Sequence, residues 1–353
     1  MAGMARDALK VYAGMGANVG RSVGYKRTGV LVVAGGGSDP AEELERDVAM
    51  QSEIGIDVRL VNASEMRRIC PGIQVDEDAL GSYEAQGGFV DPMSTIQTFA
   101  ALARSNGATT RSGVMDTNVV VENGRVAGVE TNQGLFRAPN VVLATGAWTN
   151  QILSGLGVEL PLKVVRTGEA FVEMPPVTVL DDGEERADDD VETRFKPDPL
   201  DLKPAAHPVI IDRSSGLSIR CEPKAGRSRV QRVGTDHLVE LTAPGELGDE
   251  VDAELSSWMR PRIEARMPVY KTMRDVGGQR AWVTLTPDGH PIAGPIEAIP
   301  GLWLVAGFSG NDFQLAPSIG EGLAQMIVGQ PVSAFDAEFF SPQRFGRAAT
   351  TAS

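Results

Sequence analysis

A glycine-rich segment near the carboxyl end has the residue types and spacing to hold an anionic or electron-rich ligand. The segment GLWLVAGFSGNDFQLAPSIGE predicts a strand, a loop containing Gly307 and Gly310, and a helix that starts at Pro317. Loop amides and the helix amino terminus, which carries about half a positive charge, would then face one spot. That spot suits an anion, or a ring that becomes anionic on reduction. An ordinary strand, turn and helix without a ligand is the alternative, and composition alone favours it.

Two other glycine clusters come near the Gly-x-Gly-x-x-Gly pattern with which dinucleotide folds hold a pyrophosphate. The cluster at Gly14, Gly16 and Gly20 has one residue too many and follows a predicted helix. Residues 35–37 do follow a strand, but Pro40 stands where the third glycine belongs. The fingerprint is essentially absent, and an NAD-dependent dehydrogenase would need a complete phosphate loop that neither cluster offers.

Side chains for other chemistries are sparse. Two cysteines, Cys70 and Cys221, and three scattered histidines provide neither metal-ligand spacing nor a disulfide framework, so we expect no metal. The 353 residues carry a formal net charge of −14, which works against nucleic acid and anionic membranes. The chain shows no signal peptide and no apolar run of the roughly 20 residues that a membrane span needs. We expect a cytoplasmic protein with a small-molecule substrate.

The elements around the glycine-rich segment predict a mixed α/β architecture. The stretch VVLATGAW (141–148) is an unalternating apolar strand, typical of a parallel sheet covered on both faces. Before it, tight turns such as Asn123-Gly124 predict an antiparallel meander over Asn118–Glu122, Arg125–Thr131 and Leu135–Arg137.

More strands are predicted at HPVIID, GLSIRCE and SRVQRVG, and the polar, proline-containing stretch Val179–Pro204 is interpreted as a solvent-exposed excursion. Helices are expected with amino-terminal caps at Asp39, Ser64 and Asp91. Another helix fits AELSSWMRPRIEARM, which Pro261 should kink or split.

The order of these motifs resembles the FAD-dependent amine and amino-acid oxidoreductases, the family of sarcosine oxidase, glycine oxidase and dimethylglycine dehydrogenase. GYKRTGVLVVA, GGFVDP, the Asn-Gly meander, ATGAW, TPDG and GFSG follow one another as in that family, from near residue 5 to near residue 330. The resemblance implies a two-domain flavoprotein that oxidises a C–N bond by hydride transfer to flavin. A Rossmann-like FAD domain would comprise residues 1–20, 91–160 and 279–330. A substrate domain with a mixed, largely antiparallel sheet would comprise residues 21–90 and 161–278, and residues 331–353 would form a tail.

The resemblance also implies cofactor contacts by position. Val114 resembles the residue whose backbone contacts the adenine. The strand end that meets the cofactor is Thr145, Gly146 and Ala147, and the residues bordering the isoalloxazine are Gly307, Phe308, Ser309, Gly310, Asn311, Asp312 and Phe313. The helix from Pro317 would direct its dipole at the flavin. Ala281 replaces the cysteine that anchors flavin covalently in sarcosine oxidases, so FAD is expected to be non-covalent.

Three residues are expected to contact the substrate, and two of them depart from the family pattern. Gln314 replaces a lysine that helps to hold the substrate carboxylate, and Arg232 replaces the lysine credited with oxygen activation in monomeric sarcosine oxidase. Arg220 and Arg232, on neighbouring predicted strands, are the remaining candidates for holding a carboxylate, although surface arginines would give the same pattern. The substrate, and the choice between oxidase and dehydrogenase, stay open.

The resemblance begins after the strand, Gly-x-Gly-x-x-Gly, helix and second strand with which family members start. We therefore expect an exposed apolar edge on the parallel sheet and an incomplete pyrophosphate site. A mis-assigned start codon, a unit supplied by a partner chain and a truncated protein each explain this. Two hypotheses follow: an enzyme oxidising a small amino acid or N-methylated amine, or a non-catalytic or partner-dependent subunit, in which a partner or self-association covers the edge.

Overall fold

The computed structural model describes residues 1–19, 23–115, 117–176, 206–248 and 253–346. The predicted excursion at Val179–Pro204 lies outside the described residues. The described helices are α1 Ala2–Val19, α2 Asp39–Glu53, α3 Ala63–Ile69, α4 Pro92–Ser105, α5 Thr149–Ser154, α6 Ala253–Arg266 and α7 Asp312–Ile327. Within these ranges no helix is both long and apolar enough to cross a bilayer.

The strands alternate with these helices along the chain, as a mixed α/β fold requires. They are β1 Lys26–Arg27, β2 Val30–Ala34, β3 Val58–Asn62, β4 Leu80–Glu84, β5 Gly88–Phe89, β6 Asn118–Glu122, β7 Arg125–Thr131, β8 Gly134–Arg137, β9 Val141–Leu143, β10 Lys163–Glu173, β11 Val209–Asp212, β12 Leu217–Glu222, β13 Arg227–Arg232, β14 Val239–Glu240, β15 Asp275–Leu285, β16 Ile292–Pro295 and β17 Leu302–Ala306. The predicted strands at β2, β11, β12 and β13 are confirmed.

Nine of these strands form one large sheet. Its order is β14-β10-β13-β12-β11-β2-β4-β3, and β15 pairs with the other edge of β10. Every pair is antiparallel except β2 with β11. The expected mixed, largely antiparallel sheet is therefore confirmed. The short strands β1 and β5 form a separate antiparallel pair.

The two faces of the large sheet differ in chemistry because successive side chains of a strand point to opposite sides. On one side Ile219 and Val230 pack with Met259 and Ile263 of α6, and we call this side the helix face. The other side of β10, β12, β13 and β15 carries charged and amide side chains, and we call it the network face. It comprises Glu169, Arg220, Glu222, Arg227, Arg229, Gln231 and Gln279.

A second region consists of two three-stranded sheets. The meander β6-β7-β8 matches the prediction, and its first turn has Asn123 and Gly124 at φ of 52° and 74°, as a two-residue hairpin requires. The other sheet has the order β16-β17-β9, with β17 and β9 parallel.

The long strand expected over residues 141–148 is wrong in two respects. It ends at Leu143, because the chain turns through Gly146 at φ 52° into a short 3₁₀ helix, Gly146–Trp148. It is also not covered on both faces, since Val142 is 42% exposed. Among the described residues β9 pairs only with β17, so its outer edge has no strand partner.

The large sheet and the second region have separate cores. One cluster centres on Leu31, Ile210 and Met259, and another centres on Leu143 and Leu304. The predicted domain boundary between residues 278 and 279 falls inside β15, which pairs with β10 along most of its length. The division remains a prediction.

Helix caps correct two expectations and confirm one. α2 is capped by Ser38 rather than Asp39, and α3 by Asn62 rather than Ser64, because each side chain accepts a hydrogen bond from an amide of the first turn. Asp91 caps α4 as predicted. α6 continues unbroken through Pro261, so this proline does not split the helix.

Candidate active site

The carboxyl ends of β9 and β17 lie side by side at one edge of their sheet. Leu302 pairs with Val141, and Leu304 pairs with Leu143, in parallel register. Residues 145–147 follow β9 and residues 307–311 follow β17, so the two predicted cofactor segments come together. In open α/β sheets the crevice beyond the carboxyl ends of the strands is where ligands bind.

The loop after β17, which we call the glycine loop (307–311), has an unusual backbone. Gly307, Ser309 and Gly310 have φ values of 66°, 54° and 87°. A serine in this left-handed region is strained, and it persists only where its surroundings hold it. Here the Ser309 amide donates to the carbonyl of Thr284 (3.0 Å), and the Ser309 hydroxyl accepts from the Thr286 amide (3.2 Å). The loop is therefore pinned to the end of β15.

Helix α7 begins at Asp312, not at Pro317 as the sequence predicted. Proline has no N–H, so Pro317 leaves the carbonyl of Phe313 without its helical donor. The Tyr12 hydroxyl of α1 donates to that carbonyl at 2.5 Å, which lets the helix start one turn earlier. The Asn311 side chain makes no capping bond, so the first-turn amides open beside the glycine loop with no side-chain cap.

The turn after β9 contacts β15, the strand whose end also holds the glycine loop. Ala147 is buried, and the hydroxyls of Thr145 and Thr149 lie 3.1 Å apart. The indole of Trp148 meets Trp282 of β15 edge to face, with ring centroids 5.0 Å apart. β15 therefore holds both predicted cofactor segments in place.

Val114 lies elsewhere, beside the turn that joins β7 and β8. The neighbouring Met115 amide donates to Asn132 Oδ1 at 2.9 Å, and the Asn132 amide donates to the Met115 carbonyl at 3.1 Å. This places Val114 at the rim of the meander, on a different sheet from the glycine loop. The contact with adenine remains a prediction.

A rung of three polar side chains crosses the network face. Glu169 pairs with Gln231 on one side and with Gln279 on the other. Both amide groups donate to its carboxylate, Gln231 at 2.7 Å and Gln279 at 2.5 Å, and Arg229 donates to it as well. The Glu169 side chain is only 10% exposed. Its charge is therefore satisfied within the sheet.

A second carboxylate on this face is held by three arginines. Glu222 accepts from Arg220 at 2.9 Å, from Arg227 at 2.8 Å and from Arg229 at 2.6 Å. Burial raises the pKa of Glu222, but the hydrogen bonds and charges of the three guanidinium groups outweigh it and bring the pKa to about 2. The carboxylate is fully ionised at neutral pH.

Sequence reasoning missed this network, although a pattern in the sequence points to it. Residues 227, 229 and 231 alternate with buried positions along β13, and Glu169 precedes the apolar residues 170–172 of β10. A period of two places such side chains on one face. The pairing of β10 with both β13 and β15 was needed to show that they meet.

Arg220 is the one predicted substrate residue on the network face. Its guanidinium stacks over Phe89 with the central carbon 4.9 Å from the ring centroid, and it bonds Glu222. Its Nε is buried and has no hydrogen-bond partner among the described residues. An unsatisfied donor at a buried cation is costly, and a ligand oxygen would satisfy it.

Arg232 lies on the helix face, so the structure does not bring it together with Arg220. In the register of β12 and β13, Arg232 is opposite Leu217, while Arg220 is opposite Arg229. The Arg232 guanidinium stacks over Trp258 of α6 at 4.5 Å. Two arginines on neighbouring strands can hold one carboxylate together only if their side chains point to the same face of the sheet. Arg220 and Arg232 point to opposite faces.

Gln314 and Ala281 complete the predicted set. Gln314 is exposed on the first turn of α7 and donates to Asn311 Oδ1 at 2.6 Å, so it is tied to the glycine loop. Ala281 pairs with Thr167 and shares the network face with Gln279. Ala281 offers no thiol for a covalent bond to a cofactor. The roles of these residues remain predictions.

The flavin end of FAD fits the residues at the strand ends. An added Cβ at Gly310 would meet nothing within 4 Å, so the loop leaves open space there. The uncapped amino terminus of α7 supplies amides beside that space, and Asn311 and Ser309 border it. A glycine loop and a helix amino terminus at the carboxyl edge of an α/β sheet form an arrangement that suits a nucleotide or another anionic ligand.

Comparison with known proteins identifies the family. The chain belongs to the FAD dependent oxidoreductases, whose family model matches residues 1–326. It is 27% identical over 311 residues to a monomeric sarcosine oxidase of Arthrobacter sp. (strain TE1826), covering 86% of this chain and 72% of the relative. It is 25% identical to the mitochondrial dimethylglycine dehydrogenase of Homo sapiens, with 98% of this chain but only 38% of that protein covered.

A solved structure supports the fold. The L-proline dehydrogenase of P. horikoshii superposes with a TM-score of 0.80 at 21% identity, covering 98% of this chain and 83% of the other. This likeness confirms a two-domain fold of the FAD-dependent amino-acid oxidoreductase type.

Proposed function

We propose that this chain oxidises the C–N bond of a small amino acid or N-methylated amine, with FAD held non-covalently. Bound flavin would supply the chemistry by accepting a hydride equivalent from the carbon next to the substrate nitrogen. The names of the sarcosine oxidase and dimethylglycine dehydrogenase relatives support this substrate class. The cytoplasm is the compartment we propose.

The free donor of Arg220 is the observation that carries this proposal. The guanidinium groups of Arg220, Arg227 and Arg229 share two carboxylates, Glu169 and Glu222, so this hydrogen-bonded group has one positive charge more than it has negative charges. Arg220 has the unpartnered Nε and is the most suitable of the three to bind a further carboxylate. A substrate carboxylate would supply both the missing acceptor and the missing charge.

Other residues of the chain would position the ligand. The pinned Ser309 fixes the glycine loop before any ligand arrives, so its amides need no rearrangement. The amino terminus of α7 favours negative charge at the ligand beside it. The hydrogen bonds to Glu169 keep the side chains of Gln231 and Gln279 fixed.

The decisive experiment is to purify the chain, record its visible spectrum and assay substrates. We expect a flavin band that acid precipitation releases, and turnover of at least one of sarcosine, dimethylglycine, glycine and proline with oxygen or an artificial acceptor. Arg220→Met should raise KM at least about tenfold, since a charge-assisted pair is lost. Arg59→Met, which removes an exposed arginine paired with Glu65, is the matched control. An unchanged KM in Arg220→Met would refute the carboxylate role.

A partner-dependent subunit is the second candidate, favoured by the unpaired outer edge of β9 and the exposed Val142. Such an edge accepts a further strand. A colourless preparation that takes up FAD only when mixed with a second polypeptide would support this candidate over the first.

A further inference from the structure

We propose that the helix face of the large sheet carries a second binding site, for a small oxyanion of the phosphate class. The site is a cavity of about 110 Å³, lined among others by Arg166, Gly168, Arg232 and His237. It is far too small for a flavin. It lies on the side of the sheet opposite Arg220 and Glu169, so it is separate from the proposed substrate site.

The register of three strands places arginines around Gly168. Arg280 of β15 pairs with Gly168, and Arg166 of β10 pairs with Trp282. Arg232 follows Gln231, which pairs with Glu169, so its side chain lies next to Gly168 on the same face. Gly168, which has no side chain, lines the cavity together with Arg166 and Arg232.

The guanidinium groups of these arginines have almost no partners. The Nε atoms of Arg232 and Arg280 are buried and make no hydrogen bond within the described residues. The same residues provide no ion pair for Arg166 or Arg280. The one carboxylate that lines the cavity belongs to Glu254, which is 83% exposed and 3.7 Å from Arg232, beyond hydrogen-bond distance. Among the described residues, the two arginines that line the cavity, Arg166 and Arg232, have one distant anion, so the cavity has an excess of positive charge.

His237 gives an independent indication of a ligand. Its side chain is only 9% exposed, and its Nδ1 is buried without a hydrogen-bond partner. Asp236 Oδ1 lies 3.6 Å away, too far for a hydrogen bond. Burial lowers the pKa of His237, and this effect together with the charge of Arg232 outweighs the opposing effect of Asp236, which favours the neutral ring. A neutral imidazole can donate one hydrogen bond to an oxyanion.

An oxyanion with several oxygens matches this donor set. Arginine binds phosphate through two parallel N–H bonds, and several donors that converge from different strands suit a tetrahedral group. Asp249, Glu250 and Asp252 follow closely in the sequence and lie outside the described residues. Their carboxylates are the competing occupants that an experiment must distinguish.

The test is thermal unfolding of the purified protein with inorganic phosphate, at constant ionic strength set with chloride. We expect a saturable rise of about 2–3 °C at ten times the Kd. Arg232→Gln and Arg166→Gln should each weaken phosphate binding at least about tenfold, and Arg232→Lys should retain part of it. Arg220→Gln, the matched change on the network face, should leave the phosphate response intact.

Three results would overturn the proposal. The first is a wild-type protein that responds to phosphate no more than to chloride. The second is a response that Arg220→Gln removes and Arg232→Gln keeps, which would place the anion in the substrate site. The third is a response that appears only after Asp249, Glu250 and Asp252 are changed to their amides, which would make these carboxylates the natural occupants. Binding is measured without turnover, so each result is independent of the proposed oxidation.

Discussion

The arginines of β10, β12, β13 and β15 are paired differently on the two faces of the large sheet. On the network face Glu169 and Glu222 each accept bonds from three side chains, and four of these six bonds come from arginines. On the helix face Arg232 meets the exposed carboxylate of Glu254 at 3.7 Å, and the described residues provide no ion pair for Arg166 or Arg280. A network that is already satisfied stabilises the fold, whereas unpaired cations are available to a ligand. The comparison therefore separates charges that hold the sheet together from charges that can bind.

The largest effect should come from breaking the network face. Glu222→Gln leaves three guanidinium groups without their shared anion, and we expect a loss of about 3 kcal/mol in the free energy of unfolding. Chemical denaturation measures it. Glu254→Gln, which removes the exposed carboxylate of the helix face, should change stability by less than about 0.5 kcal/mol. Equal effects of the two changes would contradict the contrast between the faces.

Acid should remove the contribution that the network face makes to the free energy of unfolding. The pKa of Glu222 is about 2 in the folded protein, below its ordinary value of 4.5, so its contribution is present above pH 4.5 and is lost as the pH falls towards 2. Its size is about 2–3 kcal/mol. Unfolding free energies of wild type and Glu222→Gln, measured between pH 6 and 2, should converge as the pH falls. If the two unfolding free energies instead keep a constant difference down to pH 2, the three arginines do not stabilise the ionised form of Glu222.

A smaller loss is expected in the core of the helix face. The Tyr270 hydroxyl lies 2.7 Å from His207 Nε2 and donates to Ser228 Oγ at 2.6 Å. Tyr270→Phe leaves both groups buried with fewer partners and should cost about 1–2 kcal/mol, with the ring packing retained. Thermal unfolding calibrated by calorimetry measures the loss. A neutral result would mean that His207 and Ser228 find other partners.

The smallest effect on stability should come from Arg232→Gln. Its loose ion pair and its stacking on Trp258 are together worth less than about 1 kcal/mol. Measured without phosphate, the loss should be well below that of Glu222→Gln. A loss of 3 kcal/mol would show that Arg232 has a structural role and would remove the contrast between the two faces.

Local turn and cap chemistry made much of the fold predictable. The Asn123-Gly124 turn fixed the meander, and Asp91 marked the start of α4, because both effects act within a few residues. The start of α7 was predicted five residues too late, because the donor that completes its first turn comes from Tyr12, which is distant in the sequence. No local pattern contains that hydrogen bond.

The candidate site was predictable only in part, for a similar reason. The segments after β9 and β17 could be located because strand ends and glycine turns are visible in the sequence. The face on which Arg220 and Arg232 lie depends on the register of β12 with β13, which residues far apart determine. Sequence spacing could not show that the two arginines point to opposite sides.

The hydrogen bond from Tyr12 to Phe313 has a consequence for folding kinetics. It joins residues 301 positions apart, and the Ser318 hydroxyl adds a second such link to the Met4 carbonyl. Contacts of such long range form only after the entropy of closing the intervening chain has been lost. The first turn of α7 therefore completes late, when the two ends of the chain have met. Until then the crevice at the carboxyl ends of β9 and β17 exists only as separate pieces.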